Sequence, residues 1–332
     1  MSFKSIIGQD HACQVLTSAL VRGHVPHAYI FTGANGVGKR TTAKEWAKAI
    51  QCLQPPSAGE SCGLCASCEK IDKDIHPDVL HINYDFQATL KVEDTEKQIN
   101  LKIDTMRAME RLLSFKPYEG RAKIAIVDPA DQLTEDAAHS LLKILEDPPP
   151  AVHIVLLSVD SHGILPTIRS RCQTVAFRTL PTAMIEKFLT EKHGFPPDAA
   201  KEMAEFAEGS LELALAAAEG SDGAVMDYEN ATVNDILEWC AQLQRPKRSR
   251  DDDQEPSSKG RRGRIETEKF LKRLLLQHQN RLYSGELSAQ QTLQQIMDAM
   301  RKVRQNVSPQ LTLEVLLLSL RRHAGAMNHP SY

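Results

Sequence analysis

The sequence predicts an α/β domain on a parallel five-stranded sheet, carrying an inserted four-cysteine module and followed by an all-helical second half. Three observations predict it. Short apolar runs alternate with amphipathic stretches over residues 3–178, a glycine-rich loop sits between a strand and a helix, and strand signals vanish after Pro181.

The apolar runs place strands at Ala28–Thr32, Val79–Ile82, Ile124–Asp128, Ile154–Ser158 and Thr174–Phe177. Between them Ala12, Val15, Leu16, Ala19 and Leu20 form one helical stripe. Ala138, Leu141, Leu142 and Leu145 form another, which must stop before Pro148, Pro149 and Pro150 because proline cannot donate the next helical hydrogen bond. Beyond Pro181, Ala, Leu, Glu and Lys dominate up to Arg322, with a break at Gly220–Gly223. These shifts divide the chain into residues 1–178, a small helical domain at 179–221 and a helical domain at 222–332. Within the last, residues 244–265 are polar, with Asp251–Asp253 beside Lys259, Arg261, Arg262 and Arg264, and read as a solvated linker.

At 332 residues and net charge −3, the chain is long enough for two or three cores and has no overall pull toward nucleic acid. No apolar stretch approaches the roughly 20 residues that span a bilayer, and no charged leader opens the chain, so a cytoplasmic, non-membrane protein is expected.

Directly after the first strand runs Gly33-Ala34-Asn35-Gly36-Val37-Gly38-Lys39, with a helix starting near Arg40. Gly33, Gly36 and Gly38 let backbone N–H groups converge on phosphate oxygens, and Lys39 reaches the terminal phosphates, so the segment reads as a P-loop. The hydroxyl that should bind the bridging Mg²⁺ is replaced by Arg40. Thr41 comes one residue late, a displacement that swings a helical side chain by roughly 100°. The strand ending in Asp128 offers a metal-binding carboxylate, and Pro129 follows it. Whether ATP and Mg²⁺ still bind is left open by these residues.

Cys52, Cys62, Cys65 and Cys68 lie in one short stretch, with Cys62-x2-Cys65-x2-Cys68 spacing. Four thiolates so placed suit tetrahedral Zn²⁺ in a closed, structural site; an iron–sulfur cluster or free thiols are the alternatives.

Further segments resemble a known family. Ile6-Ile7-Gly8-Gln9, His27-Ala28-Tyr29-Ile30-Phe31, Lys116-Pro117-Tyr118-Glu119-Gly120, Ala138 through Pro149 and the Ser170-Arg171-Cys172 motif are similar to the AAA+ subunits of bacterial DNA polymerase III clamp loaders. The cysteine module resembles that of the delta-prime and gamma/tau branches.

The resemblance implies an AAA+ module, a helical lid and a C-terminal collar through which subunits hetero-oligomerise, the collar matching Asn306–Leu317. It implies that Arg171 is an arginine finger projecting into a neighbour's ATP site, and that Ser158 occupies the polar sensor position. In active members a glutamate follows the aspartate, where Pro129 stands, and an arginine occupies the position of Glu212. With Arg40, these losses imply the non-hydrolysing delta-prime branch, acting with gamma/tau and delta to load the sliding clamp on primed DNA. An active gamma/tau-type ATPase, or a zinc-dependent nucleic-acid-binding protein using the basic clusters of 244–265, are the other readings. Leu313, Leu316, Leu317 and Leu320 would pack a domain core, line the collar contact, or both.

Overall fold

The computed structural model describes residues 3–90, 100–219, 228, 231–243, 267, 270–271, 274, 289–304 and 307–327. The chain divides into two compact units, Met1–Ala214 and Leu215–Tyr332. The expected linker at 244–265 and the break at 220–223 lie outside the described residues.

The first unit is built on strands β1 (Ala28–Thr32), β2 (Val79–Ile82), β3 (Lys123–Val127), β4 (Val152–Ser158) and β5 (Gln173–Ala176), in the order β2-β3-β4-β1-β5. Every pairing is parallel, and Ile30 aligns with Leu156 on one side and Thr174 on the other. Parallel strands need crossovers, and α1 (Asp10–Arg22), α2 (Lys39–Gln51), α3 (Ala66–Asp72), α4 (Tyr84–Leu90), α5 (Ile103–Ser114), α6 (Glu135–Glu146) and α7 (Pro166–Arg169) lie in the connections or before the sheet. Because β1, β3 and β4 are covered on both faces, they read as continuous apolar runs. Edge strand β5 alternates, with Val175 alone buried.

Two cores follow from the two faces. One gathers Ile30, Ile82, Leu113, Val127, Leu141 and Leu156; the other gathers Leu16, Tyr29, Phe31, Trp46, Ile126 and Leu157. Ala12 and Leu16 of the first stripe are buried on α1. Ala138, Leu141 and Leu145 are buried on α6, which is capped by the Thr134 hydroxyl and ends two residues before Pro148. Helices α8 (Thr182–His193) and α9 (Pro197–Phe206) pack as a pair, and α10 (Leu211–Glu219) opens within this unit.

In the second unit α11 (Val233–Leu243), α12 (Ala289–Arg304) and α13 (Pro309–Met327) share a core of Ile236, Cys240, Leu271, Ile296, Val303, Leu313, Leu316, Leu317 and Leu320. The leucine stripe of α13 therefore packs its own domain, while Leu311 and Val315 on the same helix stay exposed. Among the described residues no helix is long and apolar enough to cross a membrane.

Candidate functional site: a self-satisfied phosphate loop, a thiolate cluster and a distant arginine

The loop between β1 and α2 has the left-handed glycine backbone of a phosphate cradle: φ is 74° at Gly36 and 100° at Gly38. Lys39 is buried, and its ammonium donates to the carbonyls of Gly33 and of Ala34, the latter at 2.8 Å. Burial pulls its pKa down, while Asp128, Asp131 and Glu212 pull it up. Gln9, from the expected family opening, donates to Val37 O at 3.1 Å and to Arg178 O at 2.7 Å, and accepts from Arg178 N at 3.1 Å. It staples the loop to the end of β5.

The open side of the cradle is covered by residues that follow α9. The Glu212 amide donates to Gly36 O at 3.4 Å, and a Cβ placed on Gly36 would overlap Ser210 Oγ and meet Glu212 Cβ. Glu212, exposed to solvent, thus occupies the position where the family resemblance leads one to expect an arginine. Arg40 and Thr41 are both exposed on the first turn of α2. The inward hydroxyl is that of Thr42, and it donates to Gly38 O at 2.8 Å.

Asp128 follows β3 directly, its amide bonded to Ile82 O at 3.0 Å, and the peptide to Pro129 is cis. Asp131 accepts from the Val159 amide at 3.3 Å, and Ser158 donates to Asp160 O at 2.6 Å, so the sensor-position hydroxyl is engaged locally.

Arg171 lies two residues before β5, at the N-terminal edge of the sheet, whereas the P-loop follows β1 at the C-terminal edge. Because β1 and β5 run parallel, a strand length of roughly 15 Å separates the two. The Arg171 guanidinium meets Glu146 Oε1 at 2.8 Å and donates to Thr167 O at 3.0 Å.

The four predicted cysteines converge. Their Sγ atoms all lie within 4.8 Å of one another, with Cys62 and Cys68 at 4.0 Å. Zinc–thiolate bonds of about 2.3 Å in a tetrahedron set sulfurs about 3.8 Å apart, so the donor set fits a structural Zn²⁺. Cys62 Sγ accepts from the amides of Cys65 at 3.3 Å and Leu64 at 3.5 Å. Burial pushes the Cys65 thiol up, but backbone amides of Cys68 and Leu53 and the neighbouring thiols outweigh it and bring it to about 6.

A network that a lone sequence does not reveal ties this module to the turn before β3. Gln51, next to Cys52, accepts from Arg121 N at 2.7 Å and donates to Ala122 O. Ser67, beside Cys68, pairs with buried His76 at 3.2 Å, and His76 accepts from the Asp78 amide. Asp78, fully buried, accepts from the amides of Tyr118, Glu119 and Gly120 at 2.7, 2.9 and 2.8 Å, with Lys123 Nζ at 3.5 Å. Burial would raise its pKa, yet these amides and then Lys123 bring it below the ordinary carboxylate value. A Cβ on Gly120 would meet the Gln51 amide, so a side chain there would have to displace it.

Comparison with known proteins finds relatives among DNA polymerase III subunits. A chain from Thermotoga maritima, described as a DNA polymerase III gamma subunit-related protein, superposes with a TM-score of 0.57 at 20% identity, over 94% of this chain and 99% of that one, a likeness of fold. DNA polymerase III subunit tau of Escherichia coli K12 is 32% identical over 219 residues, 64% of this chain and 32% of its own length. The tau subunit of Bacillus subtilis is 32% identical over 66% of this chain and 35% of its own length. The chain thus spans about a third of the curated relatives it matches. The family model described as DNA polymerase III, delta subunit, matches residues 8–181, from the Gln9 staple through the phosphate loop, the cysteines and Arg171 to the end of the sheet; the chain belongs to that family.

Proposed function

We propose that this chain is the delta-prime-type subunit of a bacterial clamp loader, a non-hydrolysing cytoplasmic component that gives Arg171 to a gamma/tau neighbour. With gamma/tau and delta it helps place the sliding clamp on primed DNA. The observation that carries the reading is the backbone of Glu212 seated on Gly36, which puts a glutamate where an active member is expected to carry an arginine, together with Pro129 where a water-orienting carboxylate is needed. Each substitution opposes a step of phosphoryl transfer. Arg171 lies a strand's length from that loop, which suits a group that serves another subunit's site. The cysteines supply a closed Zn²⁺ site with no open position for chemistry, a structural role.

The test is reconstitution. The purified chain should show no ATPase, and Arg171→Ala should leave assembly with gamma/tau intact while slowing the site it serves by about 10³-fold or more. Brisk, DNA-stimulated hydrolysis by the chain alone would select the gamma/tau-type motor instead. Normal turnover by the Arg171→Ala complex would remove the finger.

A further inference from the structure

The Arg171 guanidinium does not stand free. One nitrogen pairs with Glu146 Oε1 at 2.8 Å, and another donates to Thr167 O at 3.0 Å and to Ser170 Oγ at 3.3 Å. Two of these groups share a helix-end chemistry. Glu146 is the last residue of α6, and Thr167 belongs to the single turn of α7. Unpaired carbonyls give a helix C-terminus negative potential, so a carboxylate there is disfavoured on its own account, and Asp147 next to it adds a second negative charge. Helix stability does not account for Glu146 at this position. Its pairing with Arg171 does.

The pair is half exposed, at 36% for the arginine and 55% for the glutamate. An exposed ion pair holds weakly, and a triphosphate offers several charges in the forked geometry a guanidinium prefers. The arrangement therefore suits a contact that is made at rest and given up. We propose that Glu146 is the resting partner of Arg171: it holds the guanidinium against its own chain until the phosphates of a neighbouring subunit's nucleotide displace it. Glu146 is on this view a positioning residue that acts only through Arg171, and the inference rests on the trans role proposed above.

The experiment uses the full chain, wild type or variant, assembled with the gamma/tau subunit of the same organism, and measures ATP turnover before clamp and DNA are added. Removing the carboxylate in Glu146→Gln frees the finger in the resting complex, so kcat/KM for ATP should rise about threefold, the range an exposed pair can supply. Glu146→Gln also removes a charge from a helix end, and the Glu146→Gln/Arg171→Ala double variant separates that effect. It should be no faster than Arg171→Ala alone. Unchanged or slower turnover in Glu146→Gln overturns the parking, as does an equal rise on the Arg171→Ala background. An Arg171→Ala complex with normal turnover fails earlier, at the finger itself, and a chain that does not assemble with gamma/tau removes the reading beneath both.

Discussion

Replacing Asp78 by alanine tests the network between the cysteine module and the turn before β3. In the native fold one buried carboxylate accepts three backbone amides, from Tyr118, Glu119 and Gly120, and faces Lys123. Alanine leaves three donors and an ammonium without an acceptor, where Lys123 itself is 6% exposed. Losing hydrogen bonds to a charged group costs about 1.5–3 kcal/mol each when measured singly, and stripping the partner from a buried charge about 3–5 kcal/mol in all. Since the turn relaxes as a unit the terms do not add, and a total near 4 kcal/mol follows. For a domain of this size that is a fall in Tm on the order of 10 °C. The pH dependence has a definite sign. The folded-state pKa of Asp78 lies below its unfolded value near 3.9, so its contribution is complete above that value and is lost as pH falls through the folded pKa. The penalty of Asp78→Ala, read by circular dichroism, should therefore be undiminished from pH 8 to pH 5, and amide exchange at Tyr118, Glu119 and Gly120 should accelerate. A variant melting within about 3 °C of the parent would refute the account.

The purified chain is expected to carry one zinc per molecule, released by a thiol-blocking mercurial and absent after Cys65→Ser; zinc that stays bound in that variant would displace the four-thiolate assignment. Because Glu212 stands beside Lys39, the wild-type chain should hold a fluorescent ATP analogue weakly. Glu212→Arg should tighten it about threefold by reversing one exposed charge that acts on Lys39, with hydrolysis still at background because Pro129 remains. Equal affinity in the two proteins would take Glu212 out of the explanation.

What was legible in the sequence was local. The strands stood out because both-face burial makes continuous apolar runs, and the cysteines because ligand spacing is a short-range pattern. β3 begins one residue earlier than its apolar run, at Lys123, whose charge hides a buried strand position until Asp78 is seen beside it. β4 begins two residues early, at Val152, just after Ala151 turns the chain at φ 57°. The missed residues share one property: Gln9 bonds Arg178, Gln51 bonds Arg121 and Asp78 bonds Tyr118, all across long separations. A buried polar side chain looks like any other polar residue until its partner is brought to it. The pairing of Glu146 with Arg171 was hidden for the same reason, although a carboxylate closing a helix was a signal that something cationic should sit there.

The phosphate-loop motif also makes contacts within the chain itself. In a nucleotide-bound phosphate loop the lysine and the loop amides face the phosphates. Here the ammonium satisfies two loop carbonyls, Gln9 satisfies a third, and the Glu212 amide satisfies that of Gly36. A buried lysine without such acceptors would shed its proton or open the loop, so these contacts help to hold the backbone around Gly33, Gly36, Gly38 and Lys39. It follows that Lys39→Ala should lower the Tm of this chain, because the carbonyls of Gly33 and Ala34 lose their donor, and an unchanged melting temperature would show that these contacts carry no stability.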